Sequence, residues 1–301
     1  NDTLAKIFEL FDGCEQVDNT LYFKSSLQDA FADRDPRRFD KFINSLIENL
    51  SLSSTKKARN IITFISYIVE SSKWRGLPYA SKLITKILSK ESLSSLESTT
   101  PTSHTQLLLN NKNWIHISKL FSYYISQIQK NIGSNINDSA VSQIHQFLAN
   151  SLTDLEEIPR TEGTNFCINN SVENIGEFLR NLATKYSINS IPVEFTTLTV
   201  DLSFFCIKSQ LSKDRLKEND TLIGEVFIKV KFEGQVQDLK QLILNEMKQG
   251  NYKIREHVLF ILEGINSNLI RQGKLEDIDS EEILSFFEDD NLNVTNMARG
   301  C

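Results

Sequence analysis

DPRRFDKFINSLIENLSLSSTKKARNIITFISYIVESS, from Asp35 to Ser72, is the stretch that decides the fold. It divides into two helices around a polar turn. Asp35-Pro36 opens the first: Asp is a good N-cap, and Pro is tolerated where its missing N–H would have no helical partner. Phe39, Phe42, Ile43, Leu46, Ile47 and Leu50 then recur at three- and four-residue steps, which is one helical face. Ser53-Ser54-Thr55 breaks the pattern and offers a second N-cap. Ile61, Ile62, Phe64, Ile65, Ile68 and Val69 form the next stripe, which is wider than the first. A helix apolar over so broad an arc needs cover on more than one side, so this pair requires neighbours.

Working outward, the same pattern returns. Before it, Leu4, Ile7, Phe8 and Phe11, then Leu21, Phe23, Leu27, Ala30 and Phe31, suggest a smaller helical pair. After it comes the turn Lys73-Trp74-Arg75-Gly76-Leu77-Pro78-Tyr79, and then a stripe of Ala80, Leu83, Ile84, Ile87 and Leu88. From Ser89 to Thr105 the composition shifts to Ser and Thr, which marks a flexible connection holding at most one helical turn at Leu93 and Leu96. Trp114, Ile117, Leu120, Phe121, Tyr124, Ile125 and Ile128 resume the pattern. Asp138 or Ser139 then caps a helix striped by Val141, Ile144, Phe147, Leu148 and Leu152. Glu156 to Asn169, with Pro159 and Gly163, reads as a second long loop, and Ser171 as the cap of a helix carrying Val172, Ile175, Phe178, Leu179, Leu182 and Tyr186.

Phe195 to Leu211 is rich in Thr and Val, which favours strand, but Leu198, Leu202, Phe205, Cys206 and Leu211 fit helical steps, so helix is expected. Asp220 to Phe232 carries the same conflict, leaving helix against strand open across 195–232. Gln235–Gln249 and Tyr252–Arg271 make a further pair closed by Gly273, and Ile283, Leu284, Phe286 and Phe287 a last short helix. The expected fold is all-α, an irregular α-solenoid of antiparallel helical hairpins. Residues 1–90 form its N-terminal hairpins, 91–111 a Ser/Thr-rich connection, 112–290 the C-terminal hairpins and 291–301 a frayed polar tail.

The bulk chemistry agrees with helices and excludes several classes. Among 301 residues there are 11 Gly and 5 Pro, too few for turn-dense β architecture. The formal net charge of −6 disfavours nucleic acid as the main partner, because a phosphate backbone needs a cationic face. Cys14, Cys167, Cys206 and Cys301 stand far apart with no C-x-x-C pair, which fits a reducing cytoplasmic or nuclear compartment. No run approaches the roughly 18 apolar residues of a membrane span. The chain opens on Asn1, not Met, so a segment of a larger protein is expected.

Serial hairpins with aliphatic stripes and no strict consensus resemble HEAT or armadillo-type helical repeats. The clearest members begin near Pro36, Asn113, Ser171 and Gln235. The middle domain of translation-initiation scaffolds has the same look, as do importin-like and adaptor solenoids. The resemblance implies a curved array with an extended binding surface.

Catalytic motifs are not legible. His104, His116, His145 and His257 have no ligand-spaced companions, and neither H-E-x-x-H, G-x-S-x-G nor a Gly-rich phosphate loop occurs. His116, between Ile115 and Ile117 beside Trp114, reads as structural. Glu281, Glu282, Glu288, Asp289 and Asp290 read as a solvated face. No cofactor and no metal are expected.

Two clusters are candidate partner-binding sites. Lys73, Trp74, Arg75 and Tyr79 bring the residue types of binding hot spots into a turn; the simpler role for Trp74 is to cover the seam between hairpins. Arg37, Arg38, Lys56, Lys57 and Arg59 gather positive charge at two helix starts, where the helix dipole disfavours it, and an acidic partner would rationalise the placement. The function expected is a non-enzymatic protein-binding scaffold or regulatory segment. The alternatives are an RNA-associated scaffold of the translation or RNA-processing type using that basic face, and an all-helical enzyme, for which Asp289-Asp290 alone is poor support.

Overall fold

The computed structural model describes residues 36–53, 55–96, 104–132, 138–159, 161–185 and 193–208, positions 252, 255, 256, 259, 262, 263, 270, 273, 284, 287 and 289, and residues 291–300. The described elements are helical, with no strand among the described residues. The expected helices at 3–11, 21–31, 220–232 and 235–249 lie outside them. Two compact units divide the chain, Asn1–Asn174 and Ile175–Cys301.

In the first unit, α1 (Pro36–Glu48) and α2 (Thr55–Ser72) are the pair read from the sequence. Phe42, Ile43 and Leu46 of α1 and Ile62, Phe64, Ile65 and Val69 of α2 are buried to 1% exposure or less, so the two stripes became core. Phe42 and Phe64 meet edge-to-face at 6.0 Å. A 3₁₀ turn, Lys73–Gly76, leads directly into α3 (Leu77–Ile87), with Pro78 in its first turn. Helix α3 is the hub: it packs against α1, α2, α4 (Lys90–Ser94), α6 (Trp114–Ile132) and α7 (Ser139–Glu157). Its Ala80, Leu83, Ile84 and Ile87 are completely buried. The wide stripe of α2 has the same cause, since α2 is covered by α1, α3 and α6.

Of the stretch 91–111, residues 91–96 and 104–111 are described, and they carry short helices. Ser89 caps α4 (Lys90–Ser94), its hydroxyl accepting the Ser92 N–H at 3.2 Å. Helix α5 (His104–Leu109) follows and packs on α7. Helix α6 (Trp114–Ile132) and α7 (Ser139–Glu157) match the expected stripes. Asp138 is the residue that caps α7, accepting the Ala140 and Val141 N–H groups at 2.9 and 3.1 Å. The buried Tyr124 hydroxyl lies 3.1 Å from both Asp138 oxygens, and burial pushes this phenol well above its ordinary pKa.

The 156–169 loop reading is corrected. Helix α8 runs from Glu162 to Arg180 and continues as a π turn, Asn181–Lys185. Thr161 caps it: its hydroxyl accepts the Thr164 N–H at 3.3 Å, while the Thr164 hydroxyl accepts the Thr161 N–H at 2.9 Å. This is a capping box with Thr in the third position instead of Glu or Gln. Ser171 therefore does not cap a helix; it is buried mid-helix.

The unit boundary falls within α8. Beyond it, Phe178 of α8 packs on Phe195 of α9 (Val193–Lys208), ring centroids 6.0 Å apart. The Thr- and Val-rich stretch is thus helix through Lys208, with Leu198, Leu202 and Phe205 buried. Positions 252, 255, 256, 259, 262, 263 and 270 are helical, and Gly273 follows at φ 73°, the left-handed geometry of a helix-ending glycine. Arg255 meets Asp289, Nη2 donating to Oδ1 at 3.1 Å with Nε 2.8 Å from Oδ2; the second contact is ionic, without the alignment of a hydrogen bond. The 291–301 tail differs from the frayed expectation, since Leu292–Gly300 forms α10 and buries Val294, Thr295 and Ala298.

Candidate functional site

The basic cluster begins two helices. Arg37 is exposed in the first turn of α1, and Lys56 and Arg59 are exposed and Lys57 half-buried at the start of α2. The first turn of α2 contains no acidic residue. Lys56 and Lys57 are nonetheless engaged by neighbours within the chain, so they are not bare charges. The Arg38 side chain lies outside the described residues.

The turn cluster is shaped by packing on α2. Gly76 is buried, and a Cβ there would sit 2.6 Å from Val69 Cα, closer than atoms can approach. Glycine is required because the 3₁₀ turn presses its backbone on that of α2. At the far end, the Tyr79 hydroxyl donates to Asp40 of α1, and its ring meets Phe39 edge-to-face at 6.0 Å. Burial first, and then that hydrogen bond to a carboxylate, push the Tyr79 phenol above its ordinary value. One helical turn on, Lys82 Nζ donates to Asn44 Oδ1 at 3.0 Å. Tyr79 therefore ties α3 to α1. Arg75 is exposed and also engaged within the chain, while the Lys73 and Trp74 side chains lie outside the described residues.

A second constellation was not singled out in the sequence. Helix α5 carries Gln106, completely buried, whose Nε2 donates to the Ser151 carbonyl of α7 at 2.9 Å and whose Oε1 accepts from the Ser171 hydroxyl of α8. Thr105 donates to Asp154 of α7. Asn110 Nδ2 lies 2.9 Å from Ser171 Oγ and 3.3 Å from Cys167 Sγ. Asn174 Nδ2 donates to the Leu109 carbonyl at 2.9 Å. Just beyond, Trp114 sets its ring against Phe121 and Phe147, and its indole N–H donates to the Asn174 carbonyl at 3.3 Å. This amide–hydroxyl seam fixes α5 on α7 and α8. The available signal was Gln106 and Asn110 four residues apart, flanking Leu108 and Leu109, but the Ser/Thr-rich approach obscured it.

No family model, no curated protein and no solved structure matches the chain.

Apart from the Asp154 carboxylate, the seam is built of neutral amide, hydroxyl and thiol groups. Burial pushes the Cys167 thiol up, and the Ser171 hydroxyl beside it offsets part of that. A thiol held protonated is a poor nucleophile. His116 and His145 are half-buried and engaged; the His104 and His257 side chains lie outside the described residues. Among the described residues, no group of three or more His, Cys, Asp or Glu is placed to hold a metal ion. No helix among them is long and apolar enough to cross a membrane.

Proposed function

We propose that this chain is a non-enzymatic, protein-binding scaffold segment of a larger protein or complex. Its helices form a curved HEAT- or armadillo-like array of antiparallel hairpins that presents one surface to a protein or peptide with acidic character. The observation that carries this reading is the burial of α2 and α3 on several sides, α2 by three helices and α3 by five. Internal helices of a stacked array are covered in this way, because each pair buries its face only against its neighbours. The exposed cations Arg37, Lys56, Arg59 and Arg75 on an acidic chain supply the partner's expected charge.

Two measurements test it. A compact globule of this length has a radius of gyration of about 19 Å. Small-angle scattering should give a clearly larger value, and one near the compact figure would sink the extended array. Affinity capture with the intact chain should recover a partner whose yield falls when Lys56, Arg59 and Arg75 are changed to Glu. Equal recovery would remove the basic surface as the contact. If RNA is recovered in the protein's place, with binding that weakens as salt rises, the protein-binding assignment fails.

A further inference from the structure

Asn113 is the residue between the 110–112 turn and α6, and it is completely buried. Neither its side-chain nitrogen nor its side-chain oxygen has a hydrogen-bond partner among the described residues. Its backbone is well used: the N–H donates to Asn111 Oδ1 at 2.9 Å, and the carbonyl accepts from His116 and Ile117 at 2.9 and 3.0 Å. The side chain stands in the N-cap position of α6 without making a cap bond. A buried primary amide with no partner raises the energy of the state that buries it.

The segment preceding Asn113 is attached in an unusual way. Helix α5 has six residues, and its complete apolar burial rests on Leu108 and Leu109. The rest of its hold is polar: Thr105 to Asp154, Gln106 to Ser151 and Ser171, Asn110 to Ser171 and Cys167, and Asn174 to the Leu109 carbonyl. Water replaces contacts of this kind at small net cost, whereas it does not replace lost apolar burial. Helix α6 is the contrast. It buries Trp114, Ile117, Leu120, Phe121, Tyr124, Ile125 and Ile128 in one continuous face.

We propose that α5 and the following turn, residues 104–113, act as a strap that opens locally while α6, α7 and the first turns of α8 stay folded. The closed strap is held by the seam and opposed by the Asn113 amide. Opening gives water to the Gln106, Asn110 and Asn113 amides together, and it uncovers the Ser151 carbonyl, Asp154, Cys167 and Ser171. The strap is thus a conformational device, whose closed population is set by a few amide and hydroxyl hydrogen bonds, the Thr105–Asp154 bond and one unpaired amide.

Hydrogen exchange on the full chain, read by mass spectrometry, tests this. Peptides covering 104–113 should exchange at least about tenfold faster than those covering 117–128, and should do so below the denaturant range of global unfolding. Asn113→Leu removes the unpaired amide at similar volume and should slow exchange of the strap by about tenfold. Asn113→Ala should slow it too, and decides the matter if the Leu variant does not fold. Ser171→Ala should accelerate it. The proposal is overturned if the strap exchanges only with global unfolding, or if both Asn113 variants exchange faster than the parent, since the amide would then be stabilising the closed form.

Discussion

The α1–α3 region and the α5 seam solve one problem by opposite means. Both have to hold a short helix against larger ones. In the first, α3 is held by Ala80, Leu83, Ile84 and Ile87, all fully buried, with polar links such as Tyr79–Asp40 and Lys82–Asn44 at the edge. In the second, a fully buried glutamine and its amide and hydroxyl neighbours occupy the centre. Apolar packing is non-directional and tolerates adjustment. A buried hydrogen-bond network admits one register, and each missing member leaves a desolvated partner behind.

The largest loss is expected in the aromatic core of the first region. Phe64→Ala should cost about 3–5 kcal/mol, because it removes a completely buried ring and leaves a cavity beside Phe42. Denaturant titration followed by far-ultraviolet circular dichroism measures this, and a loss under about 1 kcal/mol would mean that α1 and α2 do not share that contact. Gly76→Ala comes next. The added carbon meets the backbone of α2 and not a movable side chain, so about 1–3 kcal/mol or more should be lost. A neutral Gly76→Ala would show that the 3₁₀ turn stands off α2.

The seam should respond to polar deletion. Gln106→Leu keeps bulk but removes the side-chain partner of the Ser151 carbonyl and one partner of the Ser171 hydroxyl, for about 1–3 kcal/mol. A stabilised Gln106→Leu would reveal that the network is dispensable and that apolar contact holds α5.

The smallest effect is expected at the edge of the apolar region. Tyr79→Phe keeps the ring against Phe39 and loses the hydrogen bond to Asp40, for about 0.5–1.5 kcal/mol at neutral pH. The pH dependence has a definite sign. The folded phenol holds its proton more tightly than the unfolded one, whose pKa is 10.0. Its contribution is therefore complete below pH 10 and is lost as pH rises above that towards the folded value. Stability curves of parent and variant should converge in strong alkali, and parallel curves would exclude the coupling. Tyr124 is raised in the same direction, so the difference between the two proteins, not either curve alone, carries the result.

Legibility followed the kind of interaction. The stripes of α1, α2, α6 and α7 were readable because apolar spacing is a one-dimensional signal, and Phe42, Ile62, Phe121 and Ile144 are buried as expected. The helix at Phe195 was readable against its strand propensity for the same reason. The start of α8 was not. Its first turns are polar, Gly163 lowers their helix propensity, and the Thr161–Thr164 cap lacks the usual acid or amide in third place. Helix α5 was hidden by its Ser/Thr-rich approach, and Ser171 looked like a cap because a serine's neighbours in sequence do not reveal a glutamine 65 residues away. The candidate binding residues were legible as residue types only. That Tyr79 binds Asp40, and that Lys56 and Arg75 already have neighbours, depends on chain segments meeting in space.

By itself, then, the sequence determined the helical class and most of the apolar core, since a 3.6-residue repeat and a wide hydrophobic arc admit few other structures. Tertiary structure decided which helix became the hub, where Gly76 had to remain glycine, and which polar groups were buried together. Those outcomes depend on distances between segments far apart in the chain, such as α5 and α8, and no local spacing encodes them.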